Sequence, residues 1–239
     1  SPTGIVLPIA EIVAALAERG VDTLVDGAHA PGMLDLDLAA IGAAYYTGNL
    51  HKWVCAPKGA ALLHIRRDRQ RALHPAVISH GYSLRHGGRS LHDEFAWTGT
   101  DDPTPWLCVA TAIDALEAMV PGGWPELRRR CRELVLAGRD LLAEALGVAA
   151  PAPASMIGTL AALDLPPSVA PPPTSPLYVE RLHCELFDRF RIEVPIIPWP
   201  RHPSRLVRIS AFLYNELAEY ERLAAALREL LAEEPRAAS

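Results

Sequence analysis

VDGAHAPGMLDLDLAAIGAAYYTGNLHKWVCAPKGAALL, residues 25–63, is the stretch on which the fold turns. An apolar run at 23–25 ends at Asp26 and breaks into Gly27, a second at 44–47 carries Tyr45 and Tyr46, and a third fills 60–65. Their lengths and composition predict three short strands, with one or two helical turns at 36–41 between the first two. Parallel neighbours need a crossover of about a dozen residues or more. The interval from Asp26 to Lys52 fits one. Carboxylate and amine then share one rim of the sheet, outside the carboxyl ends of its strands, where open α/β sheets bind ligands. A structural ion pair has the same spacing, so spacing alone does not choose between the two.

The neighbouring residues favour chemistry. Asp26-Gly27-Ala28-His29 puts an imidazole just past the carboxylate on a turn tight enough to need glycine, and Thr47, Gly48, Asn49 and His51 lead into Lys52. A lysine that attacks a carbonyl must be near neutral, which burial or nearby positive charge promotes. Enzymes that use pyridoxal 5'-phosphate join such a lysine to a carboxylate on the pyridine nitrogen, which keeps that nitrogen protonated and the ring electron-accepting. Lys58 reads as a surface loop lysine and Trp53 as a packing residue.

Outside this stretch the chain is ordinary for a globular protein: 239 residues, 50% hydrophobic and 21% charged. A formal charge of −5, with no basic stripe interleaved with aromatics, gives no reason to expect nucleic acid. No apolar run is long enough to cross a bilayer and no basic-then-apolar leader opens the chain, so no membrane partner is expected. The four cysteines, Cys55, Cys108, Cys131 and Cys184, lie far apart without CxxC spacing. Reduced thiols in a cytoplasmic protein are expected, with neither a disulfide frame nor a metal site. His80, His86 and His92 do not have metal-ligand spacing either. The turn-like start Ser1-Pro2-Thr3-Gly4, without Met, is expected of a fragment or a processed chain.

Helical spacing covers residues 8–19, 105–119, 126–146, 179–190 and 215–231; strand character covers 157–163, 192–197 and 206–210. A long aperiodic segment fills 75–102, and a stiff proline-rich loop follows the strand near 160. The order predicts an α/β domain over 1–120, a connecting helix at 121–147 and a small α+β domain over 148–239.

Residues 25–63 closely resemble the class V aminotransferase family of fold type I enzymes that use pyridoxal phosphate, and within it the isopenicillin N epimerase-like branch. EFAWTGTDDPTPWL at 94–107 and VRISAFLYNELAEYERL at 207–223 match the same family's pattern. The resemblance implies a partial large domain, a mainly parallel sheet with helices, followed by the small C-terminal domain. It implies that Lys52 binds the cofactor as a Schiff base and moves protons at the substrate α-carbon. Asp26 then pairs with the pyridinium nitrogen and His29 lies near the phenolic oxygen. His51 contacts the phosphate, with Thr47 or Asn49 assisting. Gly99-Thr100 matches a segment that reaches the neighbouring subunit's phosphate in family dimers, so a homodimer is implied. Arg208 matches the arginine that grips a substrate α-carboxylate, for which a bidentate fork is well suited.

The cofactor supports several reactions, so fold and lysine do not fix one. Cysteine desulfurases of the family need a cysteine on a mobile loop before the last strands. Residues 191–203, RIEVPIIPWPRHP, have none; Cys184 is expected to be buried on the preceding helix, and Cys55 is read as a small packing residue. Epimerisation of an amino-acid-type substrate stands first. A carbon–sulfur lyase comes next, then an aminotransferase. A different class of reading is an inactive or partner-dependent remnant, because the family forms its phosphate-binding loop and its ring-stacking group N-terminal to the Asp26 motif.

Overall fold

The computed structural model describes residues 1–83, 90–97, 99–172 and 180–234. Its contacts divide the chain into an N-terminal unit, Pro8–Trp124, and a C-terminal unit, Pro125–Ser239 together with Ser1–Leu7. Residues 1–7, grouped with the large domain in the sequence reading, pack instead with the C-terminal unit. Ile5 bridges Ile157, and the Val6 amide donates to Met156 O at 2.9 Å.

In the N-terminal unit, helix α1 (Ile9–Ala17) buries Val13 and stops before Gly20, whose φ of +72° suits a residue without a side chain. Strand β1 (Leu24–Asp26) lies parallel to β2 (Tyr45–Asn49), and β2 pairs antiparallel with β3 (Ala61–Ile65). The crossover from β1 to β2 contains α2 (Leu38–Ile41), where the Asp37 side chain accepts from the Ala40 amide and Gly42 ends the helix at φ +70°. The parallel register sets Asp26 beside Thr47, as the rim geometry requires.

The described part of the segment 75–102 holds more order than its sequence shows. Helix α3 (Leu91–Ala96) has a full capping box between Ser90 and Asp93, and buries Glu94 against His74 at 2.6 Å. A helix of six residues is too short for periodicity to reveal it. His86 lies outside the described residues. The helix expected over 105–119 is two, α4 (Thr104–Leu107) and α5 (Val109–Met119).

Helix α6 (Gly123–Leu146) leads into the C-terminal unit, whose antiparallel sheet has the order β4-β6-β5. These strands are β4 (Leu160–Leu165), β5 (Ile196–Pro198) and β6 (Arg205–Ser210), and helices α7 (Arg181–Phe190) and α8 (Leu217–Glu233) complete the unit. Val135, Leu142, Leu163, Leu186, Val207 and Leu227 are fully buried in one continuous apolar cluster. Beside it Arg205, 1% exposed, donates to Glu180 at 2.6 Å and also pairs with Glu234. Burial alone lowers the Arg205 pKa, but the two carboxylates outweigh it and the guanidinium ends up raised. This network ties β6 to the N-cap of α7 and the C-cap of α8.

Cys184 is exposed, against expectation, because α7 buries Leu182 and Leu186 and Cys184 lies between them on the other side of the helix. Cys55 is exposed as well, on a loop residue with φ +58°. Among the described residues no helix is long and apolar enough to cross a membrane.

Candidate active site

At the ends of β1 and β2 the chain makes two turns that face each other. The first follows Asp26: the Ala28 amide donates to Asp26 Oδ1 at 3.0 Å, Gly27 N donates to Thr47 O at 2.8 Å, and Ala30 N donates to Gly27 O. The second carries Lys52 between β2 and β3. Its base is closed by Leu50 N donating to Ala60 O and Ala56 N donating to Leu50 O, both at 3.0 Å.

Three glycines let these turns meet. A Cβ on Gly32 would lie 2.8 Å from the Trp53 carbonyl carbon, and one on Gly48 would lie 2.7 Å from the Pro31 ring. A Cβ on Gly27 would meet the Tyr46 hydroxyl at 2.0 Å. Tyr46 is therefore the floor of the Asp26 turn; its pKa is raised by burial and then by the Asp26 charge. The sequence reading took Tyr46 as strand filling. Its position directly before Thr47-Gly48-Asn49 gives no hint of that contact.

Lys52 Nζ lies 3.2 Å from His29 Nε2, so the two turns join at their nitrogen atoms. Among the described residues no ion pair links Lys52 to Asp26. Asp26 is exposed at the rim and Lys52 is half-buried, an arrangement that leaves the carboxylate open to a ligand. Lys58 is exposed on the loop and Trp53 is half-buried with its backbone against Gly32.

The other expected residues divide. His51 Nδ1 lies 3.0 Å from Ala60 O, and a carbonyl only accepts, so Nδ1 carries the hydrogen. His51 Nε2 can then donate to an anion only as the imidazolium. Thr47 Oγ1 donates its proton to Leu62 O at 3.2 Å, within the sheet. Asn49, half-buried at the end of β2, makes no side-chain hydrogen bond to the described residues. Thr100 is exposed on the bend after Gly99 and does not cap a helix, since Asp102 accepts from the Thr104 amide at 2.9 Å.

Arg208 belongs to the C-terminal unit. It is half-buried on β6, donates to Ser1 O, and has no acidic partner among the described residues. Burial lowers its pKa. It lines a cavity of about 220 Å³ with Arg191, Glu193, Asn215, Glu219 and Arg222. Among the described residues no carboxylate bonds its guanidinium, although Glu193 and Glu219 line the same cavity.

Comparison with known proteins agrees with these features. Residues 1–119 match the model of the family described as aminotransferase class-V. The chain is 40% identical over 244 residues to an isopenicillin N epimerase of Amycolatopsis lactamdurans, covering 96% of this chain and 58% of that protein. It is 34% identical to a putative L-cysteine desulfhydrase of Oryza sativa subsp. japonica, covering 98% of this chain and 50% of that one. The apo structure of a cysteine desulfurase from Thermococcus onnurineus superposes with a TM-score of 0.74 at 20% identity, over 97% of this chain and 57% of the other. That likeness is one of fold. The chain thus spans 50–58% of the length of these relatives.

The residues fit pyridoxal phosphate by donor chemistry: an amine for an aldehyde, a carboxylate at the same rim for a protonated ring nitrogen, and a glycine-lined approach that a Cβ would fill. The chain belongs to the aminotransferase class-V family, whose cofactor is pyridoxal 5'-phosphate.

Proposed function

We propose that this chain carries the lysine-bearing part of an enzyme that acts at the α-carbon of an amino-acid-type substrate, with epimerisation as its reaction. The observation that supports it most is the Lys52 amine, half-buried and 3.2 Å from His29 Nε2, at the rim where Asp26 is left open. The similarity to isopenicillin N epimerases, at 40% and 37%, favours this reaction over others.

When bound, pyridoxal phosphate supplies an electron sink for negative charge at the substrate α-carbon. Asp26 would hold the proton on the ring nitrogen, and His29 would border the same cofactor. His51, with Asn49, would face the phosphate, while Thr47 braces the sheet behind them. Arg208 would orient the substrate through its carboxylate, a pairing strengthened by the guanidinium's partial desolvation. Lys52 Nζ would carry the proton at one face of the α-carbon, and inversion needs a second proton carrier at the other face. The reading includes a cytoplasmic homodimer in which the exposed Thr100 faces the phosphate site of a second copy.

A second reading is a carbon–sulfur lyase, favoured by the 34% identity to a desulfhydrase. Transamination stands third. The absence of cysteine in residues 191–203 weighs against desulfuration. Incubation with cofactor and candidate amino acids in deuterated water separates the readings. Epimerisation gives deuterium at the α-carbon with inversion; pyruvate with a sulfur product indicates the lyase; a keto acid formed only with an amino acceptor indicates transamination. The remnant reading gains if added cofactor produces no Lys52-dependent visible absorbance with this chain and does so with a longer one.

A further inference from the structure

Lys52 and Lys58 are the only lysines in a chain otherwise supplied with arginine. They share one loop but not one environment: Lys58 is exposed, and Lys52 is half-buried with its nitrogen 3.2 Å from His29 Nε2. That contact is built by both turns. Ala28 and Ala30 amides fix the turn that presents His29, while Cys55 N donating to Lys52 O fixes the lysine loop. Gly32, at φ +81°, brings the two within reach. The adjacent imidazole, His51, is turned away by its hydrogen bond to Ala60 O.

Two nitrogens at this distance share a single proton, and two cations there would repel each other. We propose that His29 Nε2 is the base that takes the proton from Lys52 Nζ whenever this amine attacks a carbonyl carbon. The Nζ–C bond forms, the carbonyl electron pair moves to oxygen, and the Nζ proton moves to Nε2; in the reverse step the proton returns to Nζ. This role rests on the reading of Lys52 as the reactive amine, and it differs from a contact between His29 and the cofactor.

The test needs no cofactor, so it stands apart from the test of the function. The chain, cleared of bound carbonyl compounds with hydroxylamine, is treated with N-hydroxysuccinimidyl acetate at about pH 8, above the ordinary imidazole pKa. Here Nζ acquires the acetyl group, N-hydroxysuccinimide leaves with the electron pair, and His29 takes the proton. Peptide mass spectrometry gives the rate at each lysine, and Lys58 serves as the internal reference. His29→Gln can accept the hydrogen bond but not the proton. The proposal expects both His29→Gln and His29→Ala to lower the Lys52-to-Lys58 rate ratio about tenfold or more, with unchanged circular dichroism. A His29→Gln chain that keeps the wild-type ratio would overturn it, because orientation alone would then explain the contact. So would a His29→Ala chain with an unchanged ratio.

Discussion

The two units of this chain differ in how they dispose of their apolar side chains. In the C-terminal unit Leu142, Leu163, Leu186, Val207 and Leu227 are fully buried and form one cluster with residues of α6, α7 and α8. In the N-terminal unit much of what is buried is small, such as Ala43, Ala44, Ala56 and Ala60. Large side chains there stand in solvent: Leu24 is 68% exposed, Ile78 71% and Leu107 74%. Yet the N-terminal unit holds the convergent amine, imidazole and carboxylate. One unit is organised around burial and the other around close approaches of backbone, through Gly27, Gly32 and Gly48. Stability and chemistry should therefore respond to different mutations.

The largest effect is expected at Arg205. Replacing it with Met strands two carboxylates, one of them 2% exposed, and should cost about 3–5 kcal/mol of the C-terminal unit's stability. Hydrogen exchange in α7 and α8 would show it. Next, Leu227→Ala should cost about 2–5 kcal/mol by thermal or denaturant unfolding, whereas Leu24→Ala should change stability by less than about 0.5 kcal/mol. Comparable losses at the two leucines would break the contrast between the units. Gly32→Ala should cost at least about 1 kcal/mol, because of its positive φ and because the Cβ would lie 2.8 Å from the Trp53 backbone. It should also reduce acetylation of Lys52 relative to Lys58, since the added Cβ pushes on the Trp53 backbone next to the reactive lysine.

A further effect is alkaline. Burial pushes the Cys131 thiol up to about 11 and the Tyr220 phenol up to about 12, in the C-terminal unit. Both groups are neutral when protonated, and their folded pKa values lie above the ordinary values of 9.0 and 10.0. Their contribution is complete below those values and is lost as pH rises through the folded ones. Unfolding midpoints should fall between about pH 9 and 12. Tyr220→Phe should flatten the upper part of that fall.

Much of this was legible in the sequence because it is local. The short apolar runs around Asp26 and Lys52 gave the strands, and their interval gave the parallel crossover that sets both residues at one rim. What was hidden depends on contacts between distant residues or on side-chain direction. Nothing near Ser1 announces that residues 1–7 pack beside Ile157. Nothing in DGAH or GNLHK says that the lysine meets His29 and not Asp26, because that outcome follows from Gly32 and Gly48 opening space for the turns. Cys184 was misjudged because helical phase, and not residue type, decides its exposure.

The account rests on Lys52 as the amine that captures the cofactor, and the chain's two lysines make this directly measurable. The protein is incubated with pyridoxal 5'-phosphate, reduced with borohydride and digested, and the pyridoxyl adduct is located by mass spectrometry. The account predicts the adduct on Lys52, with Lys58 unmodified at stoichiometric cofactor. An adduct on Lys58, or an even division between the two, would contradict it.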